Sequence, residues 1–330
     1  MNTTHDIETR EPFPAARFIK EIGRGKNGAR SMTSDDAQAL YQAMLEGRVS
    51  DLELGGILLA MRIKGESVAE IAGFLAAAEA SFAPLLTPAG SHYAPVIIPS
   101  YNGARKLANL TALLALLLAR EGVPVLVHGV SSDPGRVTTA EVFGALGLAA
   151  AATHAEAEAA LAAGRPCFIP IEALAPRLAH LLSLRRVLGV RNSTHTLVKI
   201  MQPFAGPALR LVSYTHPEYL EMLGHYFTTL APAARGDAFL MRGTEGETVA
   251  NANKGQQIDW FHGGQRSMLV PKQSAVQDLP ALPAERDAAT TAAWIRAVLA
   301  GDVPVPAPIA EQVAQCLQVA RALRAPAAAK

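Results

Sequence analysis

The chain is poor in cysteine, in aromatic residues and in net charge. Only two of its 330 residues are cysteine, Cys167 and Cys316. Both lie in apolar stretches without metal-ligand spacing, which fits buried free thiols in a reducing cytoplasm. Basic and acidic residues number 30 and 29, so the net charge is +1. No global positive field announces a nucleic-acid partner, and any such site must be a local cluster. Long hydrophobic runs are also missing. The longest, residues 110–119, is too short to cross a bilayer, and the opening residues carry Asp6, Glu8 and Glu11 instead of the apolar centre of a signal peptide. A membrane partner is therefore not expected. Half of the residues are apolar and 18% are charged, which excludes long disorder and supplies a large core.

The most informative stretch is 96–147. Val96–Ser100 reads as a buried strand, residues 101–106 (YNGARK) as a polar turn, 109–120 (NLTALLALLLAR) as a helix apolar on most faces, and 123–128 as a second buried strand. Two short apolar runs flanking a dozen helical residues are the pattern of a parallel strand–helix–strand unit. Such sheets bind ligands where their strands end. The loops at those ends, 100–106 and 128–136, are where function is expected.

Upstream, three helices each open on a hydroxyl followed three residues later by a carboxylate: Thr33 with Asp36, Ser50 with Glu53, and Ser67 with Glu70. They define a small helical domain. Downstream, strands near 167–171, 209–213 and 238–241 alternate with helices over 138–146, 176–188, 193–201 and 217–230. An irregular loop spans 243–254, two strand-like pieces fall in 255–280, and helices over 288–299 and 309–323 close the chain. The alanine-rich stretch 148–163 reads as compositional bias. The expected organisation is a flexible leader over 1–16, a helical domain over 17–91 with helices from about 176–202 packed on it, and an α/β domain over 92–330.

Residues 33–80 (TSDDAQALYQAMLEGRVSDLELGGILLAMRIKGESVAEIAGFLAAAEA) closely resemble the N-terminal helical domain of anthranilate phosphoribosyltransferases and pyrimidine nucleoside phosphorylases. The resemblance continues in HGVSS at 128–132, AEVFGALG at 140–147 and RRVLGVRN at 185–192. It implies a small helical domain hinged to a larger α/β domain with a mainly parallel central sheet, a ligand cleft between them, and a homodimer formed through the helical domain. Within this family, FIKEIGRGKN at 18–27 and IPSYNGARK at 98–106 are most similar to a paralogous YbiB-like branch, which looks nucleic-acid-binding.

The departures from the enzyme pattern point the same way. Where the enzymes have Gly-Thr-Gly-Gly-Asp, this chain has Pro99-Ser100-Tyr101-Asn102-Gly103. Proline lacks an amide hydrogen and tyrosine adds bulk, so the amide cradle for a pyrophosphate is expected to be lost. Arg105 and Lys106 add cations where the enzymes keep small neutral residues. The enzymes' magnesium-holding Asp-Glu pair falls near Thr248-Val249, which offers no carboxylate. Asn109 and Thr111 match the family's ribose- and metal-contacting Asn-x-Ser.

These comparisons give a candidate phosphate-contacting set: Arg24, Lys26, Arg30, Tyr101, Asn102, Arg105, Lys106, Asn109, Thr111, His128, Arg185, Arg186, Arg191 and Lys199. No catalytic residue, metal ligand or cofactor is assigned. Tyr101 is expected either to stack on a base or to cap the sheet edge, and His128 to be a hydrogen-bonded residue at a strand end. Arg62 and Lys64 read as cations complementing a helix C-terminus. Glu245 and Glu247 read as solvent-facing. The expected function is phosphate-directed, largely sequence-independent nucleic-acid binding with single strands favoured. The alternatives are a phosphoribosyltransferase with a changed acceptor and a regulator that binds a phosphorylated metabolite.

Overall fold

The computed structural model describes residues 11–25, 27–273, 275–276 and 278–324, so the leader up to residue 10 and the candidate residue Lys26 lie outside the described residues. In chain order the helices and strands are α1 (Ala16–Ile22), α2 (Ser34–Leu45), α3 (Asp51–Lys64), α4 (Val68–Glu79), β1 (Val96–Ser100), α5 (Thr111–Arg120), β2 (Val125–Gly129), α6 (Thr139–Ala145), α7 (His154–Ala162) and β3 (Cys167–Pro170). They continue with α8 (Ile171–Leu174), α9 (Pro176–Ser183), α10 (Arg185–Leu188), α11 (Thr194–Leu197), β4 (Leu209–Tyr214), α12 (Pro217–Thr229), β5 (Ala238–Arg242), β6 (Ile258–His262), β7 (Gln265–Val270), α13 (Ala288–Ala300) and α14 (Ala307–Arg324). They sort into two units. One reaches to Ser81 and includes Arg177–Leu197; the other covers Phe82–Pro176 and resumes at Val198.

In the helical unit, Ser50 with Glu53 and Ser67 with Glu70 form full reciprocal caps on α3 and α4. The cap of α2 is half of one. Thr33 accepts from the Asp36 N–H, but the aspartate, one methylene shorter than glutamate, takes the Thr33 hydroxyl at 3.1 Å instead of reaching back to the backbone. Glu70 does more than cap. Its carboxylate is fully buried and accepts from the Met32 N–H at 2.9 Å, the Ser67 N–H at 2.8 Å and the Lys64 ammonium at 2.7 Å. Lys64 is therefore the partner of a buried carboxylate and not merely a cation at a helix end. Helices α2 and α4 pack closely at Gly73, where a Cβ would meet the Ser34 carbonyl oxygen at 2.1 Å. The returning segment is tied in by the Tyr41 hydroxyl, 2.8 Å from the Thr194 hydroxyl.

Several boundaries differ from the sequence expectation, each for a local reason. Residues 82–91 belong to the α/β unit, because Leu85 exchanges backbone hydrogen bonds with Pro203 and Ala205 in that unit. The described end of the leader is packed: the Phe13 N–H donates to the Arg48 carbonyl, its ring stacks on Phe18, and Ala15 is buried. The helix expected over 176–188 is broken between α9 and α10, and left-handed Gly189 stops the second piece. The alanine-rich stretch contains a true helix, α7, capped by Thr153, in keeping with alanine's helix propensity.

The α/β unit is built on a seven-stranded sheet in the order β3-β2-β1-β4-β5-β6-β7. The pairs from β3 through β5 are parallel, and β6 and β7 continue as an antiparallel ribbon. Strands β1, β2 and β4 are buried almost throughout, as the continuous apolar runs require. Helix α5 is buried on nearly every face against the sheet and α14. The chain steps outward from β1 to β2 and β3, then returns to place β4 on the other side of β1. That reversal opens a crevice at the C-terminal ends of β1 and β4, the position where such sheets take ligands.

Gly73→Ala is expected to destabilise the fold by about 1–3 kcal/mol, because the new methyl meets backbone that cannot swing aside. Gly144→Ala, on an exposed face of α6 with open space around the added carbon, is expected to stabilise by about 0.5–1 kcal/mol. Urea unfolding midpoints of the two variants should move in opposite directions.

Candidate functional site

The strand-end loops on the switch-point side form a cleft of about 270 Å³ lined by Arg105, Arg136, Thr215, Arg242, Gly243, Glu245 and Gly246. Arg105 follows β1, Arg136 follows β2, Thr215 follows β4, and Arg242 ends β5. Three arginines thus line one small space. Arg105 and Arg242 are exposed and make no ion pair among the described residues. Arg136 is half-buried, donates to the Gly103 carbonyl at 3.2 Å and stands 3.9 Å from the Asp133 carboxylate. Lys106, exposed beside Arg105, adds a fourth cation. Forked donors of this kind suit phosphate oxygens.

Beneath the cations lies a second feature. The backbone of 102–107 presents five N–H groups to two carboxylates of the loop after β5. Glu247 is 2% exposed, and its Oε1 accepts from the Asn102 N–H at 2.9 Å and the Gly103 N–H at 2.7 Å. The Glu245 carboxylate accepts from the N–H groups of Arg105 at 2.9 Å, Lys106 at 3.0 Å and Leu107 at 3.1 Å. A tight turn aims both acids. Thr244 and Glu247 exchange backbone hydrogen bonds around Glu245 and Gly246, whose φ angles are +54° and +96°. Left-handed backbone is unfavourable for glutamate and ordinary for glycine. The Gly246 carbonyl completes the lock by accepting from Asn102 Nδ2 at 2.8 Å and the Ser213 hydroxyl at 3.0 Å. Glu245 and Glu247 are thus turned inward, contrary to the solvent-facing expectation. Of the 99–103 stretch expected to have lost its pyrophosphate cradle, the Asn102 and Gly103 amides are both taken by Glu247.

Burial opposes ionisation of Glu245. The amides of Lys106, Leu107 and Arg105, with the charge of Arg136, outweigh it and hold the carboxyl below its usual range.

The remaining candidate residues separate by burial. Asn102, Asn109, Thr111 and His128 are all buried. Asn109 donates to the Val137 carbonyl and the Thr139 hydroxyl, each at 3.1 Å, and its Oδ1 accepts from the Thr111 N–H at the start of α5. Together with the backbone pair between Ala104 and Val137, these bonds tie the 101–107 loop to the loop after β2. The structure gives Asn109 and Thr111 a scaffolding place inside the unit. Burial pushes the His128 imidazole down to about 3, so it is neutral near pH 7 and is no phosphate-binding cation. Its Nδ1 lies 2.7 Å from the Tyr101 hydroxyl, and the rings meet edge-on. Tyr101 is therefore half-buried and tethered inward. A base-stacking platform needs an open ring face, and this tether argues for the capping role.

In the helical unit, Arg24, Arg30, Arg185, Arg186 and Arg191 are exposed. Arg24 is committed to Glu21, 2.5 Å away. Arg185 and Arg186 stand on α10, which buries none of its residues. Lys199, half-buried, belongs to the α/β unit. Sequence reasoning misses Arg136 and Arg242. Arg136 sits at the end of a loop already singled out, whereas Arg242 is identified only once β5 is known to end beside β4.

The family's magnesium has no fitting ligands here. Thr248 and Val249 are buried and offer no carboxylate, while Glu245 and the Oε1 atom of Glu247 are engaged by amides. Among the described residues no group of three His, Cys, Asp or Glu side chains gathers to hold a metal.

Residues 16–81 match the model of the glycosyl transferase family helical bundle domain. YbiB of Escherichia coli K12 is 47% identical over 303 residues, covering 91% of this chain and 92% of that protein. An anthranilate phosphoribosyltransferase of Novosphingobium aromaticivorans is 28% identical over 274 residues, covering 81% of this chain and 80% of the relative. The crystal structure of anthranilate phosphoribosyltransferase (TrpD) from Thermus thermophilus superposes with a TM-score of 0.69 at 21% identity, covering 94% of this chain and 88% of that one. The Saccharomyces cerevisiae enzyme in complex with PRPP and Mg also gives 0.69, at 14% identity over the same shares. A helical domain joined to a larger α/β domain with a mostly parallel sheet is the fold these proteins share. The chain belongs to one family with YbiB, and it resembles the anthranilate phosphoribosyltransferases in sequence and fold.

The position of Glu245 predicts an acid-sensitive loop. A carboxyl whose folded-state pKa is depressed stabilises the fold fully above its unfolded value, and that stability is lost as the pH falls through the folded value. In thermal unfolding followed from pH 7 downward, the wild type should lose stability at roughly pH 4 and below. Glu245→Gln should show a smaller loss over that window. Superimposable acid limbs would contradict the assignment.

Proposed function

We propose that the protein binds nucleic acid through phosphate contacts, largely without regard to sequence, with single strands favoured. The reading is carried by the convergence of Arg105, Arg136 and Arg242 on one strand-end cleft, with Lys106 beside them. Side-chain cations give charge-assisted contacts to phosphate oxygens but carry no base information. The exposed Arg185 and Arg186 of α10 are further candidate contacts in the helical unit. The cytoplasm is the proposed location, in keeping with two buried free thiols; burial pushes that of Cys167 up to about 12.

A second reading, phosphoribosyl transfer with a changed acceptor, is favoured by the names of the relatives. Against it stand the missing carboxylates at Thr248 and Val249 and an amide cradle filled by the chain's own acids.

The protein is also proposed to pair with a second copy through the helical unit. Leu52, Gly56, Leu59 and Ile63 recur on one face of α3. Leu52 is 88% exposed and Ile63 68%. Leu59 and Ile63 border an apolar groove of about 270 Å³ with Ile19, Ile22 and Ala29. A face of this kind is a docking surface for a self-complementary partner.

Two measurements test these readings. Fluorescence anisotropy of a labelled single-stranded oligonucleotide across a salt series should give a steep fall of log affinity with log salt. Arg105→Ala with Lys106→Ala should flatten the slope by roughly 1.4, two phosphate contacts at about 0.7 each. Salt-independent binding, together with turnover of phosphoribosyl pyrophosphate, would favour the transferase instead. For the second copy, sedimentation should show a dimer in the wild type and a shift to monomer for Ile63→Glu.

A further inference from the structure

We propose that a second cavity, beside the arginine-lined cleft, takes one unstacked base of the bound strand, so that the site holds a whole nucleotide unit and not a phosphate alone. The inference rests on the phosphate-binding reading above and adds a base to it. The cavity measures about 130 Å³, room for roughly ten waters. Its lining belongs wholly to the α/β unit. Leu110, Val249, Ala250 and Ala252 are buried and form its deeper part, with the half-buried Leu107 and Leu282 beside them.

The distribution of charge says what kind of group enters. The charged residues of the lining, Lys106, Glu285 and Arg286, are all exposed and belong to the mouth. The deeper part carries no charge. Burying an unpaired charge is costly, so the portion of a ligand that enters is neutral and mostly apolar. Asn253, also exposed, adds an amide that both donates and accepts. A nucleobase meets these terms, with apolar faces, polar edges and no charge.

Position supplies the rest. Lys106 and Thr244 line the cavity, while their chain neighbours Arg105, Gly243 and Glu245 line the arginine cleft. The two depressions therefore share a wall built from 105–106 and 243–245. Arg286 fastens the cavity to that wall by donating to the Arg105 carbonyl. A base and its phosphate are joined through one sugar, so a phosphate held on the cleft side brings its base to the cavity. Tyr101 is tethered to His128, and the cavity lining contains no aromatic ring. The base is thus held by apolar burial and by its edge, without a stacking platform. One neutral amide among aliphatic side chains discriminates weakly between bases, in keeping with binding that largely ignores sequence.

The test compares a strand with bases and a strand without them. Anisotropy is measured on the full-length protein with a labelled oligodeoxycytidylate and with an abasic strand of the same phosphate count. The wild type should bind the base-bearing strand about tenfold or more tightly. Ala284→Leu puts bulk into the cavity from an exposed position and should bring that ratio close to one. Equal, salt-dependent binding of both strands by the wild type would overturn the base pocket and leave the phosphate reading standing. A ratio that Ala284→Leu leaves unchanged would also overturn it, whereas binding of neither strand would bring down both readings. Should Ala284→Leu fail to fold, Asn253→Ala makes the same comparison, with the ratio expected to fall about threefold and an unchanged ratio counting against the pocket. Free deoxycytidine monophosphate that competes as well as the strand itself would assign the cavity to a free nucleotide and overturn the proposal.

Discussion

The contact on which the strand-end architecture depends is that between two carboxylates and five backbone amides. Loops at the ends of a parallel sheet expose N–H groups that ladder bonding cannot satisfy, and an unsatisfied buried donor costs about 1–3 kcal/mol. Here the loop after β5 supplies the acceptors. It joins the segment after β1 to the segment after β5, with β4 between them contributing Ser213 to the same knot. The loop after β2 is attached through Asn109, Arg136 and the backbone pair at Ala104 and Val137. Strand ends β1, β2, β4 and β5 are therefore coupled through one polar network, and the cations ride on it.

This network separates the inherited fold from the inherited chemistry. The helical domain and the α/β domain with its mostly parallel sheet are the fold shared with anthranilate phosphoribosyltransferases. At the strand ends of this chain the 102–107 amides are taken by Glu245 and Glu247, and Arg105, Arg136 and Arg242 line the cleft beside them. An enclosed anion site favours a ligand that fits it, whereas exposed guanidinium groups favour a repeating polyanion. The second is the chemistry of a nucleic-acid backbone.

Much of the fold was legible in the sequence because it rests on local rules. Hydroxyl–carboxylate pairs marked α3 and α4, continuous apolar runs marked β1, β2 and β4, and glycine marked the end of α10. The misses fall where distant contacts decide. Nothing local to Leu85 says that it pairs with Pro203 and Ala205, and alanine-rich composition conceals the Thr153 cap that starts α7. At the site, Arg105 and Lys106 could be picked out because they follow a buried strand. Arg242 could not, since its place beside Arg105 follows from sheet order. Glu245 and Glu247 were misread for the same reason: two acids on a glycine-containing loop look solvated until their partners, about 140 residues earlier in the chain, are known. Asn109 and Thr111, picked out by a family motif, are buried, and His128 is hydrogen-bonded at a strand end as expected.

The central claim is that the arginine-lined cleft on the α/β unit is where phosphate is held. The most direct measurement is a crystal structure of the protein with a short single-stranded oligonucleotide. The account predicts a backbone phosphate within hydrogen-bond distance of the guanidinium groups of Arg105, Arg136 and Arg242, with Glu245 still on its amides. An oligonucleotide bound elsewhere, with that cleft holding only water, would contradict it.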